Sequence, residues 1–135
     1  MNHELPLFAY GTLMFPEIIR AVIGRVPHAV STVAHGFARL EVIGQSFPGM
    51  VEDNSTPGAM VKGVLYENLS PLEWRQLNEY ESAFYVLTEI RVDRGGETLP
   101  ALTYLVAPAE RNVLSDAPWE EAVFRKKYLD TYFSP

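Results

Sequence analysis

The chain has 135 residues, of which 47% are hydrophobic and 21% charged, a length and composition typical of a single globular domain over residues 1–135. Its formal net charge of -6 would repel a phosphate backbone and argues against nucleic acid as a partner. It has no cysteine, which excludes disulfides, thiolate nucleophiles and cysteine-ligated metals, and its three histidines lack the spacing of a metal motif.

The chain is also expected to be independent of membranes. No apolar run approaches the roughly 20 residues of a membrane helix, and the first residues lack the basic start and apolar stretch of a secretory signal. We therefore expect a cytoplasmic protein with no membrane partner, present as a monomer or a weak homodimer.

The first predicted elements are a strand and a short helix. Leu5–Tyr10 is apolar enough for a strand, and it runs directly into a Gly-Thr pair. Pro16–Ile23 is predicted to be helical, because proline fits the first helical turn and Gly24 provides a stop.

The middle of the chain favours strands. Val30–Ile43 is rich in β-branched and aromatic residues and is interrupted by Gly36, which predicts two strands or one bent strand. Gln45–Gly58, with its prolines and glycines, is predicted to be mostly loop. Ala59–Glu67 alternates as a further strand.

The best-defined helix start lies at Ser70. Pro71 fits the first helical position, and Glu73 completes a capping box with Ser70. We therefore assign Glu73 to capping, and expect a helix that continues to about Glu81.

The remaining elements are a hairpin and a final helix. Val86–Asp93 and Thr98–Val106 are predicted strands joined by a turn with two glycines, and a helix is expected from about Trp119 to Tyr132, with Val123, Phe124 and Tyr128 on one side. This order predicts an α+β fold whose mainly mixed or antiparallel sheet could close into a small barrel.

Glu81 stands out as a carboxylate on an apolar helix face. Trp74, Leu77 and Glu81 have the i, i+3, i+7 spacing of one face. Burial and the negative end of the helix dipole both raise the pKa of a carboxyl group, which suits a general base or acid. The alternatives are a solvated surface glutamate and a member of a structural network.

The turn after the first strand also has two interpretations. Gly11 and Thr12 could form a plain tight turn, with Tyr10 in the core. Glycine would equally let a substrate approach closely, so that adjacent backbone N–H groups could hold an oxyanion or a carboxylate.

Two motifs together resemble the γ-glutamylcyclotransferase-like superfamily, which includes AIG2-like proteins and γ-glutamylamine cyclotransferases. The first is Tyr-Gly-Thr-Leu at Tyr10–Leu13, and the second is Leu-Asn-Glu-Tyr-Glu at Leu77–Glu81, followed by Tyr85. The resemblance extends from about Leu7 to Tyr104. The chain departs from the family pattern, which often has aspartate, glycine and arginine where this sequence has Asn78, Ser82 and Leu87.

The resemblance implies a small mixed β-barrel flanked by helices and a cofactor-free, metal-free γ-glutamyl cyclotransferase. Glu81 would be the general base and acid, and Tyr85 would line the cavity. Tyr10, Gly11, Thr12 and Leu13 would form the loop that holds the γ-glutamyl group. The substrate would be a small γ-glutamyl-amine or γ-glutamyl-amino acid, and the products 5-oxoproline and a free amine.

Two other functions stay open at this point. The same fold could serve as a non-catalytic or regulatory module that binds a small acidic metabolite, in which case an arginine or lysine paired with Glu81 would be expected. A structural interaction protein would instead expose apolar surface around Phe124, Tyr128 and Tyr132.

Overall fold

The computed structural model describes residues 3–132, which form eight strands and three α-helices. The strands in chain order are β1 (Leu7–Ala9), β2 (Ala29–His35), β3 (Phe37–Val42), β4 (Pro48–Glu52), β5 (Met60–Tyr66), β6 (Tyr85–Arg94), β7 (Glu97–Val106) and β8 (Leu114–Pro118). The helices are α1 (Pro16–Ile23), α2 (Pro71–Glu81) and α3 (Glu121–Lys127).

Five of these strands close into a barrel in the order β1-β5-β2-β6-β7. The barrel is mixed, because β1 runs parallel to β7, with Leu7 opposite Leu102, whereas the other pairs are antiparallel. The remaining strands form a separate sheet in the order β4-β3-β8. The predicted α+β barrel flanked by helices is therefore confirmed.

Helices α1 and α2 begin and end as their sequences predict. Gly24 ends α1 in the left-handed conformation with φ 86°. Ser70 Oγ accepts from the N–H of Glu73 at 3.1 Å, and Glu73 Oε1 accepts from the N–H of Ser70 at 2.9 Å, which is the predicted capping box. Arg25 also pairs with Glu73 at 2.6 Å and, with these bonds, lowers the pKa of Glu73 to about 2. The pair ties the end of α1 to the start of α2.

The two glycine turns separate the strands as expected. Gly36, with φ 82°, divides Val30–Ile43 into two strands rather than bending one. Gly95 and Gly96 both have positive φ and form the turn of the β6–β7 hairpin.

The range Gln45–Gly58 is mostly loop, as predicted, but it also contains strand β4, which the sequence analysis did not predict. Proline opens this strand, at the edge of the three-stranded sheet, where a missing N–H is tolerated. Gly49 follows because a Cβ at this position would collide with Val106 and Leu114. Gly49, which signals a loop in the sequence, therefore lets β4 pass close to β7.

The final helix is shorter than predicted. The α-helix ends at Lys127 and is followed by a 3₁₀ turn, Leu129–Thr131. Phe124 is buried, but Val123 is 39% exposed and Tyr128 is 42% exposed. The predicted apolar side is correct only for Phe124, which packs against Trp119.

The core forms on both faces of the barrel strands. Side chains alternate across a strand, so Leu7 and Ala9 belong to a cluster that includes Ile19 of α1 and Trp74 of α2. Phe8 belongs to a second cluster, which contains no helical residues. The helices thus cover one side of β1 and bring the end of α2 close to the end of that strand. No helix within residues 3–132 is long and apolar enough to cross a membrane.

Candidate active site

A cavity of about 260 Å³ lies where β1 ends and where α2 leads into β6. All of the site residues predicted from the sequence line it: Tyr10, Gly11, Thr12, Leu13, Glu81 and Tyr85. The structure therefore brings the two sequence motifs together, although about 70 residues separate them along the chain.

The turn after β1 depends on a glycine. Strand β1 ends at Ala9, one residue short of the predicted end, and the chain then enters a 3₁₀ turn, Thr12–Met14. A Cβ on Gly11 would lie 2.9 Å from Pro48 Cγ, closer than side chains tolerate without a shift. Gly11 therefore lets the turn pack against β4.

The carbonyl groups of residues 10–13 are all bound, whereas in the described part of the chain the N–H groups of residues 11–13 are free. The Tyr10 carbonyl accepts from Arg39 Nη1 at 2.9 Å, and the Leu13 carbonyl accepts from Tyr66 Oη at 2.7 Å. The Gly11 carbonyl accepts from the Met14 N–H at 3.0 Å, and the Thr12 carbonyl accepts from the Phe15 N–H at 3.1 Å. Within residues 3–132, the N–H groups of positions 11–13 have no protein acceptor. Such a row of free donors can bind an anion.

Glu81, the last residue of α2, is the carboxylate of the cavity. Burial raises its pKa to about 8, in agreement with its predicted place on the apolar face of α2. In the described part of the chain the carboxylate has no hydrogen bond and no ion pair. A non-catalytic binding module is expected to pair this carboxylate with an arginine or a lysine. The described residues show no such pair.

Tyrosines form much of the remaining wall. Burial, the largest cause, and the charge of Glu81 together raise the pKa of each of four tyrosines that line the cavity: Tyr10, Tyr80, Tyr85 and Tyr104. Their hydroxyl groups therefore stay protonated near neutral pH, and they can donate hydrogen bonds but cannot act as bases.

Hydrogen bonds fix these tyrosines across several elements. Tyr80 Oη lies 2.7 Å from Thr12 Oγ1 and donates to Tyr132 Oη at 3.0 Å. Tyr85 Oη donates to the Pro48 carbonyl at 2.7 Å. The bonds of Tyr80 join the end of α2 to the turn after β1, and the bond of Tyr85 joins β6 to β4.

The sequence analysis missed several lining residues, among them Tyr80, Tyr104 and Tyr132. Tyr80 immediately precedes Glu81 in the second motif, and this adjacency could have identified it. Tyr104 and Tyr132 carry no comparable signal, because their contribution depends on the register of β7 and on the path of the chain after α3.

Within residues 3–132 no three histidine, aspartate or glutamate side chains are grouped so that they could hold a metal ion. Of the residues at which an interaction protein would expose apolar surface, Phe124 is only 1% exposed, whereas Tyr128 is 42% exposed.

The family model described as gamma-glutamyl cyclotransferase, AIG2-like, matches residues 7–121. Among curated proteins, AIG2-like protein A of Arabidopsis thaliana is 28% identical over 131 residues, which cover 93% of this chain and 78% of that protein. AIG2-like protein B of the same plant is 31% identical over 80 residues, which cover 58% of this chain. This chain spans about half the length of protein B, 46%.

Solved structures share the fold. A solution structure of an Arabidopsis thaliana protein superposes with a TM-score of 0.73 at 23% identity, over 98% of this chain and 91% of that one. A structure titled gamma-glutamyl cyclotransferase superposes with a TM-score of 0.64 at 20% identity, over 76% and 66%. An AIG2-like protein of Mus musculus gives 0.56 at 16% identity, over 89% and 88%. At these identities the similarity concerns the fold.

Proposed function

This chain belongs to the gamma-glutamyl cyclotransferase, AIG2-like family, and from that premise we propose that it converts a γ-glutamyl-amine or γ-glutamyl-amino acid to 5-oxoproline and a free amine. The observation that carries the proposal is that one cavity brings together a carboxylate with a raised pKa and the turn after β1. In the described part of the chain this carboxylate has no ion pair and the N–H groups of residues 11–13 have no protein acceptor.

The proposed reaction is an intramolecular attack. The γ-glutamyl group carries its own nucleophile, the α-amine, which reaches the γ-carbonyl carbon and closes a five-membered ring. The cavity walls would hold the chain of the substrate in the folded-back conformation. Orientation of this kind contributes roughly 7–11 kcal/mol in favourable cases.

Glu81 would move the proton between the two nitrogens. The neutral α-amine attacks, and the Glu81 carboxylate takes a proton from that nitrogen as the new C–N bond forms. The resulting carboxylic acid gives the proton to the leaving nitrogen as the original amide bond breaks, and the released amine takes a further proton from water. A carboxyl group with a pKa of about 8 exchanges a proton in both directions near neutral pH.

The turn after β1 would stabilise the charge that develops on the γ-carbonyl oxygen. In the tetrahedral intermediate that oxygen is an anion, and the free N–H groups of Gly11, Thr12 and Leu13 are the donors proposed to meet it. Loss of one such donor costs about 10²–10³-fold in kcat in well-studied acyl-transfer enzymes.

The test is a mass-spectrometric screen for 5-oxoproline released from a panel of γ-glutamyl-amines and γ-glutamyl-amino acids. Wild-type protein is expected to convert at least one donor, and Glu81→Gln to convert none. Glu79→Gln is the matched control, because Glu79 lies on the same helix but is exposed, and it should keep wild-type activity. No conversion of any donor, or an active Glu81→Gln protein, overturns the proposal.

A further inference from the structure

The Tyr10 carbonyl accepts a hydrogen bond from an arginine that does not line the cavity. Arg39 of β3 donates from Nη1 to the Tyr10 carbonyl at 2.9 Å and to the Lys62 carbonyl at 3.1 Å. Tyr10 and Gly11 line the cavity, whereas Arg39 and Lys62 do not. The arginine therefore contacts the turn on a side that the cavity does not reach.

Arg39 is itself held in place. Its guanidinium lies over the ring of Trp119, 5.2 Å from the ring centroid. The Trp119 indole donates to the Ser46 carbonyl at 2.8 Å, and its backbone N–H donates to the Arg39 carbonyl at 3.2 Å. Burial lowers the pKa of Arg39, and the nearby Glu121 opposes this shift, but an arginine remains protonated at neutral pH.

Planarity of the peptide bond transmits this contact to Gly11. In a trans peptide the N–H of one residue points opposite to the preceding carbonyl, and no cis peptide bond occurs within residues 3–132. With the Tyr10 carbonyl directed at Arg39, the Gly11 N–H is directed away from it. A cation at the carbonyl oxygen also polarises the peptide group and strengthens its N–H as a donor.

We propose that Arg39 is a positioning residue, which orients and polarises the Tyr10–Gly11 peptide so that the Gly11 N–H stabilises the oxyanion of the reaction. This inference rests on the proposed function. Arg39 acts through the peptide and does not touch the substrate, so its effect should fall on the rate of the chemical step more than on binding of the substrate.

The kinetic test compares wild-type protein with Arg39→Met and Arg39→Lys. We expect Arg39→Met to lower kcat about tenfold, less than the loss of a whole oxyanion donor, with KM nearly unchanged. Arg39→Lys keeps the charge and should recover part of kcat. Arg91→Met is the matched control, because Arg91 of β6 is exposed, and it should match wild type. An Arg39→Met protein with wild-type kcat overturns the inference and leaves the proposed function standing.

A binding test decides the matter if wild-type protein releases no 5-oxoproline. The backbone amide resonances of Gly11, Thr12 and Leu13 are then followed by NMR during titration with 5-oxoproline, whose carboxylate is an anion of suitable size. That carboxylate is charged like the oxyanion, whereas the γ-carbonyl of bound substrate is neutral, so the inference predicts an effect on binding of this anion although KM for the substrate is nearly unchanged. The amides should shift in wild type, and Arg39→Met, but not Arg91→Met, should bind 5-oxoproline about tenfold more weakly. Equal affinity, or no shift of these amides in wild type, overturns it.

Discussion

Tyr80 Oη lies 2.7 Å from Thr12 Oγ1, although 68 residues separate the two in the chain. Thr12 belongs to the turn with free N–H groups, and Tyr80 directly precedes Glu81. This bond therefore sets the distance between the two halves of the proposed catalytic machinery.

Removing the Tyr80 hydroxyl should let the end of α2 move relative to the turn after β1. We expect Tyr80→Phe to lower the free energy of unfolding by about 2 kcal/mol, because it removes two hydrogen bonds, with Thr12 and with Tyr132, each with a usual net value of about 1 kcal/mol. It should also lower kcat/KM for 5-oxoproline release about tenfold, because catalysis is sensitive to displacements of about 1 Å. Urea unfolding and steady-state kinetics measure the two effects. Tyr128→Phe, at a 42% exposed tyrosine, should change neither, and equal behaviour of the two variants would contradict the assignment.

A methyl group at position 11 should displace the turn. Because a Cβ there would lie 2.9 Å from Pro48 Cγ, Gly11→Ala is expected to lower kcat/KM about 100-fold. Pro48→Ala removes the atoms that obstruct the methyl group, so the double variant should recover activity toward that of Pro48→Ala alone. A fully active Gly11→Ala protein would show that the close approach to β4 is unimportant.

The residue after Glu81 holds an unfavourable backbone conformation. Ser82 has φ 63° and ψ -174°, a region populated almost only by glycine, at a cost of about 1–3 kcal/mol for other residues. Ser82→Gly is therefore expected to raise the free energy of unfolding by about 1 kcal/mol, measured by urea denaturation, whereas Ser82→Ala should not. A destabilised Ser82→Gly protein would show that the conformation carries no strain.

The raised pKa of Glu81 makes a prediction about stability as well as activity. With a folded-state pKa of about 8 against an ordinary value of 4.5, the folded protein binds more protons than the unfolded chain between these pH values, so this group lowers stability as the pH rises from 4.5 to 8. Each pKa unit corresponds to about 1.4 kcal/mol of unfolding free energy. Solvent in the cavity makes the total loss smaller than the full pKa shift would give.

Glu81→Gln should accordingly be more stable than wild type near pH 8, by about 1–3 kcal/mol. The difference should disappear below pH 4.5, where both states of wild type are protonated. Chemical denaturation of both proteins across this range measures it. A difference that is independent of pH would mean that Glu81 titrates normally.

Local sequence signals were sufficient for most of the elements and for the carboxylate. The capping box at Ser70, the proline and glycine that bound α1, and the helical spacing of Trp74, Leu77 and Glu81 act within one or two turns, so each can be read without knowledge of the tertiary structure. The resemblance to a known family assigned roles to the six predicted site residues and added Leu13 and Tyr85, and all six line the cavity.

Long-range packing explains what the sequence did not reveal. Strand β4 was hidden because Pro48 and Gly49 signal a loop, whereas here the glycine serves the close approach to β7. Arg39 is one of many charged residues in the sequence, and it becomes informative only when β3 brings it to the Tyr10 carbonyl. Tyr132 reaches the cavity because the last helix stops early, which apolar spacing did not predict.

If a buried Glu81 transfers the proton during ring closure, the rate of 5-oxoproline release must follow the ionisation of its carboxyl group as the pH changes. Wild-type kcat/KM should rise with pH as the carboxyl ionises and level off above about 8, with carboxyl NMR of Glu81 giving the same midpoint, while Glu81→Gln stays inactive throughout. A Glu81→Gln protein that releases 5-oxoproline with the wild-type pH profile would show that Glu81 does not transfer this proton.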